Sequence, residues 1–261
     1  MSNVQWKEDN PEFGYHEISH HDEDTEKDSC HVMEFELDNI EENIVLRGKS
    51  KISHSSGLTL WTCSQVLSGY LDDNWHLVKD KTVLELGAGL GYCSIVAHHL
   101  GAKNVLATDG DIDVLENLQN NINENASTRT DENDDSHYED SKTDGIVQPN
   151  LISCPQLIWG EDLQKFKDEY GQQQVMMGTD VLYFPACVNP LWETVTELLE
   201  KDGLFLLAFC PHSVTVDEVL DKARSYGFKW EKPNISGGQE EKDNYTSCSF
   251  GYHIFIFSRI S

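Results

Sequence analysis

The sequence predicts an α/β fold: a seven-stranded, mostly parallel sheet with helices on both faces, preceded by an N-terminal β-hairpin. Three observations carry this expectation. From Thr82 onward, short apolar runs alternate with stretches of helical period, the succession that builds a parallel sheet. The first of these runs ends in a turn with alternate glycines that leads straight into a helix pattern. The chain has 261 residues and is 38% hydrophobic, enough for one sizeable core.

Residues 1–30 are polar and acidic, include His20-His21-Asp22-Glu23-Asp24, and read as a disordered tail. The rest, 31–261, reads as one domain. Alternation in Val32-Met33-Glu34-Phe35-Glu36-Leu37, then Ile44-Val45-Leu46-Arg47, predicts the two strands of the hairpin. Val66, Leu67, Tyr70 and Leu71 share one face of a helix, with Thr62 and Ser64 as candidate caps. A strand over Thr82–Leu86, a helix over Tyr92–Leu100, a strand over Asn104–Thr108 and a helix over Ile112–Ile122 follow. The pattern then breaks at 126–150, an acidic stretch without apolar period that reads as an inserted loop. Further strands are expected over Gln156–Trp159, Gln174–Tyr183, Leu204–Phe209, Phe228–Lys232 and Tyr252–Phe257, the last as an antiparallel insertion at the sheet edge. Helices are expected near Asp162–Tyr170, Leu191–Lys201 and Val214–Tyr226.

Charge narrows the partners. Nineteen basic against 46 acidic residues give a formal net charge of -27, so a phosphate backbone would be repelled and a nucleic-acid substrate is disfavoured. The acidity suits a basic protein partner, although much of it falls in the two segments that look merely solvated. Seven cysteines, without the C-x-x-C spacing of a zinc site or redox pair, read as reduced thiols. The acidic first residues lack the pattern of a secretory signal, and no apolar run would span a bilayer. The expectation is a monomer of the cytoplasm or nucleus, with no membrane partner and no metal.

The chemistry lies in Glu85-Leu86-Gly87-Ala88-Gly89-Leu90-Gly91. Glycines between a strand and a helix let backbone N–H groups and bare Cα atoms approach a nucleotide cofactor closely. A dinucleotide fingerprint is G-x-G-x-x-G, whereas here the glycines stand at 87, 89 and 91 with an acid two residues before the first. This arrangement resembles motif I of the Rossmann-like, seven-strand methyltransferases that use S-adenosylmethionine. Asp109, ending the second strand, stands where a carboxylate can accept both ribose hydroxyls. NAD would use the same acid, but the glycine spacing argues against it.

Gly57-Leu58-Thr59-Leu60-Trp61, Ile158-Trp159-Gly160 and Asp180-Val181-Leu182-Tyr183 sharpen the resemblance. Together they look like methyltransferase family 16, the methyltransferase-like protein lysine methyltransferases, over about residues 32–258. Asp180-Val181-Leu182-Tyr183-Phe184-Pro185 looks closest to the elongation factor 2 lysine methyltransferase branch. The resemblance implies that Trp61 and Trp159 flank S-adenosylmethionine, that Glu85, Gly87, Ala88, Gly89 and Gly91 form its cradle, and that Asp109 holds the ribose. It further implies that Asp180 and Tyr183 face the methyl-accepting nitrogen of a protein substrate, most simply a lysine.

Three positions depart from the family pattern: no proline follows Trp61, Ala186 replaces a frequent acid, and Cys210-Pro211-His212 stands where an arginine is common. Two other readings therefore stay open, a small-molecule methyltransferase and a non-catalytic interaction module. The identity of the methylated protein is not legible.

Overall fold

The computed structural model describes residues 4–10, 15–20, 30–49, 56–125, 151–233 and 251–260. The expected inserted loop at 126–150 lies outside them. Eleven strands and six α-helices follow one another among the described residues. A four-stranded antiparallel sheet comes first, built in order from β1 (Val4–Asn10), β2 (Tyr15–His20), β3 (Cys30–Leu37) and β4 (Ile40–Lys49). Its β3–β4 pair is the expected hairpin. Two stretches of the segment expected to be a tail are strands in this sheet, with Trp6 opposite Ile18. The hairpin offers β3 as an edge to β2, and β2 in turn pairs with β1, despite the acidic surroundings.

The helix α1 (Thr62–Asp73) leads into the main sheet. Its N-cap is Trp61, with no side-chain cap; the Ser64 hydroxyl donates to the Trp61 carbonyl instead of capping a free N–H. There follow β5 (Thr82–Leu86), α2 (Tyr92–His99), β6 (Asn104–Thr108), α3 (Ile112–Asn125) and β7 (Leu151–Ser153). Then come α4 (Leu163–Tyr170), β8 (Gln173–Thr179), α5 (Val188–Leu198), β9 (Leu199–Phe209), α6 (Val216–Ser225), β10 (Phe228–Glu231) and β11 (His253–Arg259). The seven strands are ordered β10-β11-β9-β8-β5-β6-β7. All neighbours are parallel except β11, which runs antiparallel to both β9 and β10.

Two expectations change here. The third strand in sequence is Leu151–Ser153, not Gln156–Trp159, and Gln156 makes only an isolated bridge to Asp109. Pro155, which lacks an N–H, interrupts the ladder that Leu151–Ser153 makes with β6, and past it the chain regains only the bridge at Gln156. The last strand is antiparallel and inserted, as expected, but it lies one strand in from the edge, between β9 and β10, leaving β10 outermost.

Side chains alternate across the sheet and so divide the core in two. Val83, Val105, Val175 and Met177 pack with Leu67, Ile95 and Leu118 of α1, α2 and α3. Leu84, Leu86, Leu106 and Met176 pack with Phe166, Trp192 and Val219 of α4, α5 and α6. Both faces are covered, as expected for parallel strands. The hairpin docks on the first layer. Phe35 lies 4.4 Å from the Tyr92 ring, and the amide side chain of Asn125 accepts from Val45 N–H at 2.8 Å and donates to Val45 O at 2.7 Å. Asn121 treats Arg47 in the same way. Two buried amides on α3 thus satisfy the free backbone edge of β4.

Cys63, Cys93, Cys154 and Cys187 are free thiols, but Cys210 is disulfide-bonded, which departs from the expectation of reduced thiols throughout. Parity and spacing along the chain carry no information about a pair closed in space. No described helix is long and apolar enough to cross a membrane.

Candidate active site

A cleft of about 530 Å³ opens at the carboxyl ends of β5, β6 and β8, within the size range of small-molecule sites and where parallel sheets bind ligands. Gly87, Ala88 and Gly89 form its floor, Asp109 and Asp111 one side, Trp61 and Trp159 its walls, and Asp180 and Tyr183 its far end. Eight of the ten residues singled out from the sequence therefore meet in one cavity.

The floor requires glycine at two points. Gly87 has φ +66°, and a Cβ there would lie 3.0 Å from Val181 Cγ1 and 3.3 Å from Trp159 Cζ2. Gly89 has φ +55°, and its Cβ would lie 3.1 Å from Gly57 O. Both positions combine a left-handed backbone with a close approach that a side chain would block. The turn is tied to the second strand through Ala88 N–H, which donates to Thr108 O at 2.8 Å.

Asp109 is held at the end of β6 by two backbone donors, Gly89 N–H at 3.2 Å and Asp111 N–H at 3.0 Å. Burial is the largest influence on its carboxyl and pushes it above the usual range; those N–H groups oppose the shift. Each oxygen keeps a lone pair for a vicinal diol.

Asp180 sits in the left-handed region at φ +52°, rare for a residue with a side chain. Its carboxylate accepts from Cys63 N–H at 3.4 Å, at the start of α1, and from Cys210 N–H at 3.2 Å, after β9. It therefore caps a helix that has no side-chain cap of its own. Next to it, the Tyr183 hydroxyl meets the Ser56 hydroxyl, and Ser56 O accepts from Trp61 Nε1 at 3.1 Å. Burial, with Cys187 and Asp109 nearby, raises the Tyr183 phenol, so it stays protonated at neutral pH. Trp61 and Tyr183 are 44% and 47% exposed, so the far end of the cleft opens outward.

Glu85 and Gly91 do not line the cleft, against expectation. Glu85 lies on the Val83 face of β5, is 1% exposed, and accepts from Ser94 N–H at 2.9 Å and Ser94 Oγ–H at 2.5 Å. It anchors the first turn of α2, behind the floor. Burial lifts its carboxyl to about 7. Gly91 is the N-cap of α2 at φ +86°, and a Cβ there would run into Leu118 Cδ1. Its role is packing against α3. Sequence reasoning missed Ser56, Cys187 and Pro190 as lining residues, and quoted Gly57 only as the start of the Gly-Leu-Thr-Leu-Trp run. The place of Ser56 directly ahead of that run was the available signal for it; nothing marked the other two.

The glycine floor, the diol-facing acid and an apolar wall fit a nucleoside carrying an amino-acid tail. Over residues 40–221 the sequence matches the family described as lysine methyltransferase. The chain belongs to the lysine methyltransferase family. A relative in this family, the protein N-terminal and lysine N-methyltransferase EFM7 of Yarrowia lipolytica, is 30% identical, with 77% of each chain covered. The protein-lysine N-methyltransferase EFM3 of Chaetomium thermophilum is 33% identical over 60% of this chain; the match spans 43% of that relative's length. The fold is also that of the Thermus thermophilus 16S rRNA N2 G1207 methyltransferase RsmC, solved with AdoMet and guanosine. There the TM-score is 0.56 and the identity 12%, over 88% of this chain and 51% of that one.

Proposed function

We propose that this family member transfers a methyl group from S-adenosylmethionine to a lysine side-chain nitrogen of another protein. One observation carries the reading: the glycine floor, Asp109, and the Asp180–Tyr183 pair line a single cleft whose far end is open to a protruding side chain. Gly87 and Gly89 would receive the amino-acid tail of the cofactor, Asp109 its ribose, and Trp61 and Trp159 would flank it. When bound, the cofactor supplies an electrophilic methyl on a sulfonium.

The protein must supply a neutral nitrogen in line with that methyl. A lysine with pKa about 10.4 costs about 4.6 kcal/mol to deprotonate at pH 7. Asp180 Oδ1 and Oδ2 each keep a lone pair beyond their backbone bonds, so they can orient an ammonium and take its proton directly or through water. Their fixed backbone donors hold the carboxylate in place while it does so. The Tyr183 ring offers a face to the cationic amine.

A second acceptor, an N-terminal amine, is favoured by the EFM7 relative, which is named as a protein N-terminal as well as lysine N-methyltransferase. The same groups would hold it, and its lower pKa, about 7.7 to 8.0, makes deprotonation easier. We also infer a monomer of the cytoplasm or nucleus that acts on protein, not nucleic acid; the formal net charge of -27 supports the choice against nucleic acid. The test is incubation of the protein with tritiated S-adenosylmethionine and cell extract. Label should enter protein and vanish with Asp109→Ala; label in small molecules only would reject the reading.

A further inference from the structure

Asp180 is pinned by chain from elsewhere in the sequence. Its own N–H donates to Ala208 O at 2.9 Å, Oδ1 accepts from Cys210 N–H at 3.2 Å, and Oδ2 accepts from Cys63 N–H at 3.4 Å. These partners stand on β9, just after β9 and in the first turn of α1. The left-handed backbone at Asp180, with φ +52°, persists only with such support. Yet the two bonds to its carboxylate lie at and beyond the long end of the N–H···O range, so by themselves they hold it loosely.

The Cys63 side chain lies against the same carboxylate. It is fully buried, its thiol hydrogen-bonds Asp180, and Cys210 N–H reaches its sulfur. Burial, and then Asp180, push this thiol well above its ordinary range, so it stays S–H and faces the carboxylate as a donor. The helix it opens has no side-chain cap of its own, and Asp180 takes the place of one. The simplest alternative is a core residue, since Cys63 packs in the apolar layer with Leu67, Leu71 and Cys93 and a thiol fills space there as a small hydrophobe. A filler of that layer need not meet a carboxylate. This sulfur lies between Asp180 and Cys210 N–H, two groups already bonded to one another.

We propose that Cys63 is a positioning residue for methyl transfer: its S–H, acting with the Cys63 and Cys210 N–H groups, holds the Asp180 carboxylate turned toward the acceptor amine. Cys63 does not line the cleft, so it acts through Asp180 and touches neither cofactor nor substrate. A carboxylate that orients an ammonium and takes its proton must keep a lone pair aimed within hydrogen-bond reach, and a third donor narrows its swing. The inference rests on the proposed role of Asp180 and adds what keeps that side chain in register.

The test compares Cys63→Val, Cys63→Ala, Cys63→Ser and Asp180→Ala in the full chain by thermal unfolding, S-adenosylmethionine affinity, methyl transfer to protein and the infrared S–H stretch. Valine fills the space without a donor, whereas serine leaves a small gap but keeps one. Packing alone ranks valine above serine in both melting temperature and transfer. Positioning separates the two rankings: kcat should fall about two- to tenfold in Cys63→Val, the worth of one weak hydrogen bond, and stay within about twofold in Cys63→Ser, with both KM values unchanged. Cys63→Ala, which cannot strain the site, should fall with valine. The Cys63 S–H band, isolated by subtracting the spectrum of the matching Cys63→Val protein, should move to higher frequency in Asp180→Ala as the hydrogen bond is lost. Wild-type kcat in Cys63→Val and Cys63→Ala, or a band that Asp180→Ala leaves in place, overturns the proposal while Asp180 keeps its role. Normal transfer by Asp180→Ala rejects both. An Asp180-dependent band in a chain that methylates no protein amine would reject the proposed function and reduce Cys63 to a structural donor.

Discussion

Replacing Glu85 with glutamine should make the protein's stability less dependent on pH without touching its cofactor. Glu85 is buried behind the glycine floor and its carboxyl is raised to about 7 from an ordinary 4.5. Between those values the folded chain holds a proton that the unfolded chain has released. Stability contributed by this group is therefore full below about pH 4.5 and is lost as pH rises through about 7. At about 1.4 kcal/mol per pH unit, the whole window is worth about 3 kcal/mol, and the part from pH 5.5 to 8 about 2 kcal/mol. Glutamine keeps an acceptor for Ser94 N–H but cannot ionise. Urea unfolding of both proteins between pH 5.5 and 8 should show the variant gaining on wild type by about 2 kcal/mol as pH rises. S-adenosylmethionine affinity should stay within a few-fold. A constant difference across pH, or a folded variant that no longer binds the cofactor, would refute the placement of Glu85 as an anchor of α2.

Gly91→Ala should cost about 2–5 kcal/mol, from the left-handed backbone and the clash with Leu118, and lower the melting temperature by several degrees in a thermal scan. The folded fraction should bind cofactor normally, in contrast to Gly87→Val, whose side chain would meet Val181 and Trp159 within the cleft. Asp180→Ala should retain cofactor affinity, abolish methyl transfer, and lose about 1–3 kcal/mol of stability with the Cys63 and Cys210 N–H bonds. If Asp180→Asn restored stability together with full transfer, the carboxylate would not be needed for chemistry.

Most of the sheet could be read because its strands are apolar on both faces and its glycine turn is local. The limits of β5 and β6 follow directly from Val83-Leu84-Glu85-Leu86 and Leu106-Ala107-Thr108-Asp109. What escaped depends on chain far away in sequence. Strands β1 and β2 look like acidic coil until β3 presents an edge to β2, and β2 one to β1, and the insertion of β11 beside β9 is set by long-range pairing. Glu85 was misread for a different reason. The motif names the residue, but the alternation of a strand puts it on the Val83 side, toward Ser94 and away from the cofactor cleft. Asp180 shows a related limit: its place at a strand end was legible, whereas its hold on the start of α1 needed the fold to bring Cys63 within reach.

The central claim is that Gly87, Gly89 and Asp109 build a site for S-adenosylmethionine. Calorimetric titration of the purified protein with this cofactor, with NAD as control and Asp109→Ala alongside, tests it most directly. Saturable binding of S-adenosylmethionine alone, lost in the variant, is the predicted result; NAD binding, or S-adenosylmethionine binding indifferent to Asp109, would contradict it.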